Sequence, residues 1–281
     1  MADYVVGETA DIAAIRSYLM TDPDYSAYAL GDLDPPYSAH ACWTAARQQG
    51  RIQGLVLLYR GLKPAVLFLM GENQPVERIL ARSATPDEVF FTIKPSHRPV
   101  LEGYFKPVYL NGMYRMRVRR ETFRELAAEG RQASTVVPLD SSHSGQIQAL
   151  IRAVSEADSR EPSDVAFSPD MLDSGTYAGV FDQAGCLIAV GGTHLVARRS
   201  LVAAMGNVVT HPDHRRKGLG TLVCYQVTKA LLEGGFERVV LNVRRTNEAA
   251  IRIYQKLGYT ITNEFVEGLA ARINQAAIAA H

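Results

Sequence analysis

A chain of 281 residues that is 47% hydrophobic and 21% charged has the composition of a folded globular protein, large enough for one big domain or two ordinary ones, and leaves no case for general disorder. Its formal net charge of +1 excludes a surface built as a whole for nucleic acid or anionic membrane. Three cysteines, Cys42, Cys186 and Cys224, odd in number and without C-x-x-C spacing, exclude a disulfide framework and a structural zinc site, so no metal is expected.

The start, MADYVVGETADIAAI, has no basic segment leading into an apolar core, and no later run approaches the ~20 apolar residues of a membrane span. A cytoplasmic protein without a membrane partner is the expectation. Helical segments precede Asp32, and strands are expected over 41–47, 52–59 and 65–70, with a Gln49-Gly50 turn between the first two. GENQPVERIL follows, and later HRPVLEGYFKPVYL. The stretch 121–134, ETFRELAAEGRQAS, is charged and rich in small residues and reads as a linker. It divides the chain into domains over 1–120 and 135–281.

In the second region TVVPL reads as a strand, and Ile147, Leu150, Ile151 and Val154 recur at helical spacing. Three strands follow, TYAGVF, CLIAVGGTHLVA and SLVAAMGNVVT, separated by a Gln183-Ala184-Gly185 turn and an Arg198-Arg199 turn, which reads as an antiparallel meander. The next helix carries Leu219, Leu222, Val223, Val227, Ala230 and Leu231 on one face and ends at Gly234-Gly235. Strand ERVVLNV comes next. A helix from Asn247 then places Ala250, Ile253, Tyr254 and Leu257 on one face, stops at Gly258, and leads into strand YTITNEFVEG. The fold class is α/β with a mixed sheet. The first region repeats this order: GENQPVERIL stands where the second has HPDHRRKGLGT, and the separation of His97 from Tyr104 matches that of Asn247 from Tyr254. We read the two regions as an ancient duplication.

HPDHRRKGLGT, residues 211–221, follows an apolar run and opens a helix. Unpaired N–H groups at a helix start carry about half a positive charge and seat an anion. Glycines let the backbone approach a phosphate closely, while Arg215, Arg216 and Lys217 supply countercharge and donors. The spacing matches neither a Walker loop nor a dinucleotide fingerprint. A basic turn that merely solvates a helix start is the alternative reading. Nucleic-acid binding through 211–217 is disfavoured, because no aromatics are interleaved for base stacking.

Arg215-x-x-Gly218-x-Gly220, after a strand and before an amphipathic helix, resembles the acyl-CoA loop of the GNAT acyltransferase superfamily. LNVRRTNEAAIRIYQKLGY resembles that superfamily's later strand and helix, with Asn247, Ala250, Tyr254 and Gly258-Tyr259 in order. The resemblance covers about 134–268, and GNVVTHPDHRRKGLG is similar to the glycine N-acyltransferase-like branch. It implies tandem GNAT-like domains, each a mixed, mostly antiparallel sheet with helices on both faces. It also implies two parallel strands, over 201–210 and 238–243, that splay to admit pantetheine. Val208, Val209 and Thr210 would bond the pantetheine arm, while Arg215 and the amides of Arg216, Lys217, Gly218, Leu219, Gly220 and Thr221 would hold the pyrophosphate.

The implied activity is direct transfer of an acyl group from acetyl-CoA or another acyl-CoA to a primary amine of a small molecule or peptide. A non-catalytic acyl-CoA-binding sensor is the alternative of a different class. Tyr254 is expected to protonate the departing thiolate; packing on the apolar helix face is its other reading. Asn247 would bond the pantetheine or a water, and also stands where an N-cap belongs. Many relatives place Glu before the loop where this chain has Met205-Gly206-Asn207, which leaves the base open: His194 is either that base or a hydrogen-bonded core histidine. Glu161 and Asp158 are minor candidates. Cys224 is expected to be buried, without a covalent role. The first region's Gly71-Glu72-Asn73-Gln74-Pro75 has no cation, an anionic side chain and a proline that removes an amide, so that region is expected to be a degenerate copy without its own coenzyme site, retained for the acceptor cleft or the fold.

Overall fold

The computed structural model describes residues 3–127, 135–158 and 167–273. By internal packing the chain divides into two units, the first made of residues up to Arg115 together with the chain from Asn263 onward, the second of Met116–Thr262. The strand β12 (Thr260–Arg272), which the sequence reading puts in the second domain, therefore contributes most of its length to the first unit. No helix among the described residues is long and apolar enough to cross a membrane.

The first unit opens with β1 (Val5–Glu8), α1 (Ile12–Leu19) and α2 (Ala27–Gly31). Strands β2 (Ala41–Gln48) and β3 (Arg51–Tyr59) form a hairpin because Gln49 and Gly50 both take positive φ, 50° and 77°, the geometry of a tight two-residue turn. Then β4 (Ala65–Gly71) runs antiparallel to β3, α3 (Asn73–Leu80) crosses over, and β5 (Glu88–Ile93) lies parallel to β4 from Ala65↔Val89 to Phe68↔Thr92. α4 (Arg98–Glu102) and β6 (Phe105–Arg119) follow. β12 pairs with β5 from Val266↔Ile93 to Ala271↔Glu88 and adds Val266 and Ala270 to a core with Val76, Ile79, Phe91 and Phe105. The buried Arg115 guanidinium lies over the rings of Tyr28 and Phe265 at 4.9 and 5.1 Å and donates to the Asp24 carbonyl at 3.2 Å.

The second unit holds β7 (Val136–Pro138), α5 (Ser144–Asp158), α6 (Asp170–Ser174), β8 (Tyr177–Phe181), β9 (Leu187–Ala197), β10 (Val202–Thr210), α7 (Leu219–Glu233), β11 (Arg238–Arg244) and α8 (Glu248–Lys256). Its strand order is β11-β10-β9-β8-β7. Helices cover both faces, as expected: α5 and α6 pack with Tyr177 and Leu187, whereas α7 packs through Leu219 and Val223 on Val180 and Ile188. Adjacent strand residues thus serve opposite cores. From the first strand of the meander onward the two units share one order: three antiparallel strands, a crossover helix, a parallel strand, a second helix.

The front of the expected linker is packed. Phe123 stacks on Tyr225 with centroids 5.5 Å apart, the Tyr225 hydroxyl donates to the Glu125 carboxylate, and Arg120 donates to the Leu232 carbonyl. Residues 128–134 lie outside the described residues. α8 ends as expected at Gly258, which has φ 93° and whose absent Cβ would lie 1.8 Å from the Thr122 carbonyl oxygen. Both strain and collision therefore oppose a side chain there. Gly258→Ala should lower stability by about 2 kcal/mol or more, read as a fall in the urea midpoint at unchanged slope; an unmoved midpoint would show that this close approach is not maintained.

Candidate active site

Leu201 takes a left-handed conformation, φ 53°, so β10 begins at Val202 and not at 201 as expected. Its parallel ladder with β11 runs from Val202↔Arg238 to Met205↔Leu241. From Gly206 on, β10 continues beside β9, with Gly206↔Gly192, Val209↔Val190 and Thr210↔Ala189. The parting of the two parallel strands therefore begins at Gly206, within the expected span. Asn242, the first β11 residue past the ladder, keeps its side-chain oxygen buried without a protein partner. Sequence reasoning missed it.

Two bulges sit at this parting. Between Leu195↔Ala204 and Thr193↔Met205, β9 carries one extra residue, His194; between Gly206↔Gly192 and Val209↔Val190, β10 carries one extra, in the stretch where Asn207 has φ 52°. Bulges re-aim side chains, and here His194 Nε2 lies 3.0 Å from Asn207 Oδ1. The imidazole covers Gly206, whose absent Cβ would fall 2.3 Å from the ring. Asn207 Nδ2 donates to the Tyr177 hydroxyl oxygen at 2.9 Å, and that hydroxyl donates to the Thr193 carbonyl at 2.9 Å. Burial lowers the His194 pKa from its ordinary 6.5, opposed by the bond to Asn207. His194 is thus a hydrogen-bonded histidine that also stands at the fork. The Gly206-Asn207 pair within a β-rich run was the one sequence signal for the bulge, since both residue types accept left-handed or close-packed backbone.

At the far end of β10, a short turn over Pro212–His214 leads to Arg215, whose Nε donates to the Thr210 carbonyl at 3.4 Å. Arg216 and Gly218 have positive φ, 63° and 78°. Arg215, Arg216, Lys217 and Gly218 are exposed, and α7 starts at Leu219 with no side chain capping it. The amides of Leu219, Gly220 and Thr221 thus open α7 at a loop of three cations, the arrangement an anion needs. Gly220 faces Thr210 and Ile253 of α8: its absent Cβ would meet Thr210 Oγ1 at 3.5 Å and Ile253 Cδ1 at 3.7 Å. The structure therefore brings the end of β10, the start of α7 and α8 together.

Asn247 caps α8, its side chain accepting from the Ala250 amide at 3.1 Å. Tyr254 is buried on α8, its ring 5.9 Å from that of Tyr259. Val209 is buried and Val208 half-buried against the α7 core. Cys224 is fully buried, which pushes its thiol up to about 12 and removes it as a nucleophile. Glu161 lies outside the described residues, as does the side chain of Asp158.

The corresponding fork of the first unit is closed by its own side chains. Just beyond Phe68↔Thr92, the buried Tyr25 hydroxyl donates to the Leu69 carbonyl at 2.8 Å and accepts from the Lys94 amide at 3.0 Å. His97 Nε2, 2.8 Å from the Gly71 carbonyl, donates to it. α3 begins behind the exposed Glu72, with Pro75 in its first turn.

A mixed α/β domain whose parallel strands part beside an uncapped, cation-flanked helix start offers the donors and countercharge that a phosphate-bearing ligand with an extended arm would need. Residues 146–259 match the family model described as Acetyltransferase (GNAT) family, and this part of the chain is a GNAT domain. An uncharacterised N-acetyltransferase of Bacillus subtilis is 37% identical over 60 residues, 21% of this chain and 24% of its own length. The [ribosomal protein bS18]-alanine N-acetyltransferase of Escherichia coli is 35% identical over 57 residues, 20% of this chain and 38% of its own. A solved tandem GNAT protein from the clavulanic acid biosynthesis pathway is 14% identical, with a TM-score of 0.58 over 96% of this chain and 98% of that one. That likeness extends the fold over both units.

Acyl-coenzyme A fits these residues. The orphaned Asn242 oxygen and the parted β10 backbone offer hydrogen-bond partners to an extended arm, and the loop offers donors and countercharge to a diphosphate. Because a methyl at position 220 meets only ordinary contacts, Gly220→Ala should keep wild-type stability, whereas Gly220→Asp adds a carboxylate beside the diphosphate. Calorimetry with coenzyme A should show weakening for Ala and loss for Asp; unchanged affinity in folded Gly220→Asp removes the loop from the site.

Proposed function

We propose that the chain is an acyl-CoA-dependent N-acyltransferase, acting first of all with acetyl-CoA and transferring the acyl group directly to a primary amine of a small molecule or peptide. The observation that carries the reading is a GNAT domain with a half-buried, neutral histidine at the strand fork, beside the uncapped helix. The names of two relatives, the bS18-alanine N-acetyltransferase and N-alpha-acetyltransferase 30 of Xenopus laevis, support an amine acceptor.

The backbone of Val208, Val209 and Thr210 would hold the pantetheine arm. Arg215, Arg216, Lys217 and the amides of Gly218, Leu219, Gly220 and Thr221 would hold the diphosphate. Asn247 acts through its cap, which fixes the start of α8 and hence Tyr254. The thioester supplies an activated acyl carbon. His194 takes a proton from the amine as its nitrogen attacks that carbon; Tyr254 gives a proton to sulfur as the carbon–sulfur bond breaks. Solvent returns both residues to their starting states, leaving an amide and free thiol.

The first unit serves in this reading as a degenerate GNAT copy without a coenzyme site. Tyr25 and His97 take the backbone groups of its fork, and Glu72 repels a diphosphate. Calorimetry on the intact chain should give one coenzyme site, lost with Gly220→Asp; two equivalent sites would overturn this.

A thiol-release assay with acetyl-CoA and longer acyl-CoAs against primary amines tests turnover. Coenzyme binding without release in any combination would place the protein among non-catalytic sensors. Tyr254→Phe should lower kcat roughly 10²-fold at nearly unchanged coenzyme affinity; wild-type rates would remove Tyr254 from the mechanism. Because burial lowers the His194 pKa, its neutral, proton-accepting form persists below pH 6.5. The acid limb of kcat/KM should therefore fall below the ordinary histidine value and vanish in His194→Gln; an identical profile in that variant would assign proton removal elsewhere.

A further inference from the structure

The closed end of the fork is filled from the α7 side by one side chain. Met205 stands on the last rung that joins β10 to β11, opposite Leu241, and each of the two is 1% exposed. Its Sδ lies 3.6 Å from Thr228 Oγ1 of α7 and 3.9 Å from the Tyr259 hydroxyl, and those two hydroxyls are 2.8 Å apart. One hydroxyl donates to the other, which leaves one proton to point at the sulfur, a weak acceptor. Burial drives the Tyr259 pKa far up, so the phenol keeps its proton. Thr228 and Cys224, one turn earlier on α7, are fully buried beside them. The next residue of β10, Gly206, serves the opposite face, where an added Cβ would meet the His194 ring. Met205 is therefore a fixed plug on the α7 face of the sheet, at the rung where the parallel strands begin to part.

The helix start that would seat the diphosphate lies at the other end of β10, past Thr210. An arm anchored there and lying along β10 brings its thioester end to the Met205 rung. We propose that Met205 sets the acyl length the protein accepts: the donor is a short acyl-CoA, acetyl-CoA first, because a longer chain running past the last rung meets the Met205 side chain. The proposal rests on the acyl-CoA reading of the fork and adds to it the class of donor and the residue that selects it. An acetyl group offers little apolar surface to attract, so a site prefers it by excluding longer chains. Methionine, unbranched and able to fill an irregular gap, is suited to that task, and the two hydroxyls hold its sulfur in place.

The test is a chain-length series on the full chain: acetyl-, propionyl-, butyryl-, pentanoyl- and octanoyl-CoA. It is read by calorimetric affinity without an acceptor and by thiol release with primary amines. In the wild type both should fall by roughly tenfold or more between acetyl and butyryl, the cost of forcing extra methylenes into a filled site. Met205→Ala removes the γ-carbon, the sulfur and the ε-methyl, and an apolar void accepts an apolar guest. Its optimum should move to pentanoyl-CoA, longer than acetyl by the same number of atoms, gaining roughly fourfold per added methylene up to that length. Octanoyl-CoA should again be poor. Met205→Val removes less and should move the optimum by about one carbon; it carries the test if the cavity in Met205→Ala prevents folding, as judged by the urea transition. A wild type that takes octanoyl-CoA as well as acetyl-CoA overturns the proposal. So does a folded variant with the wild-type length profile, which would send the acyl chain to the other face of the sheet. A binding profile that follows Met205 in a protein without turnover upholds the length limit and sinks the acyltransferase reading. Absence of coenzyme binding sinks both.

Discussion

When two parallel strands part, the backbone N–H and C=O groups that faced each other lose their partners together, and each group left buried without a substitute costs on the order of 1–3 kcal/mol. The second unit is organised around such a parting. Up to Met205↔Leu241 the ladder is satisfied internally; past it, β10 stays with β9, and β11 carries Asn242 with a buried, unpartnered oxygen. The uncapped start of α7 and its three cations stand at the end of the same strand. An arm lying in the fork and a charged group at its end would satisfy both sets of groups. Polar demand along a line that ends in positive potential describes a ligand's shape and charge before any chemistry is considered.

The first unit shows the other solution to the same constraint. Its parallel pair also stops, at Phe68↔Thr92, and the next groups along, the Leu69 carbonyl and the Lys94 amide, are joined through one hydroxyl, that of Tyr25. Burial drives the Tyr25 pKa far up, so the hydroxyl keeps its proton and remains a donor toward Leu69 while accepting from Lys94. His97 closes the next carbonyl. These bonds take the backbone groups next to the fork, although His97 Nδ1 stays buried without a protein partner, and the stretch Gly71–Pro75 carries no cation to attract an anion.

Much of this was legible in the sequence wherever the signal was local. Helical spacing located α5, α7 and α8, the Gln49-Gly50 pair marked its hairpin, and the glycines before α7 marked the start of that helix. Asn247 showed its cap directly. What stayed illegible depends on contacts between residues far apart in the chain. Nothing local at Tyr25 announces a partner at Lys94, 69 residues on, and nothing at Thr260–Arg272 says that the strand pairs with β5. Bulges are nearly as silent: one extra residue shifts register, with only the Gly206-Asn207 pair to mark it. His194 therefore stood as an ambiguous histidine until its partner across the bulge was seen.

Burial and hydrogen bonding bear on both readings of His194. A core histidine and a catalytic base are commonly opposed readings, yet the same surroundings suit both. Burial disfavours the imidazolium, which keeps the ring neutral, and the Asn207 bond satisfies one nitrogen so that the ring tolerates its position. A carboxylate in an equally dry position would be driven toward its protonated form and lose the capacity to accept. In such a partly buried position histidine is thus a side chain that burial favours in its neutral, proton-accepting form. The chain's departure from a glutamate before the loop, Met205-Gly206-Asn207, then follows a physical logic. Glycine makes room for the imidazole and asparagine bonds it; on the proposed reading the base would come from the neighbouring strand.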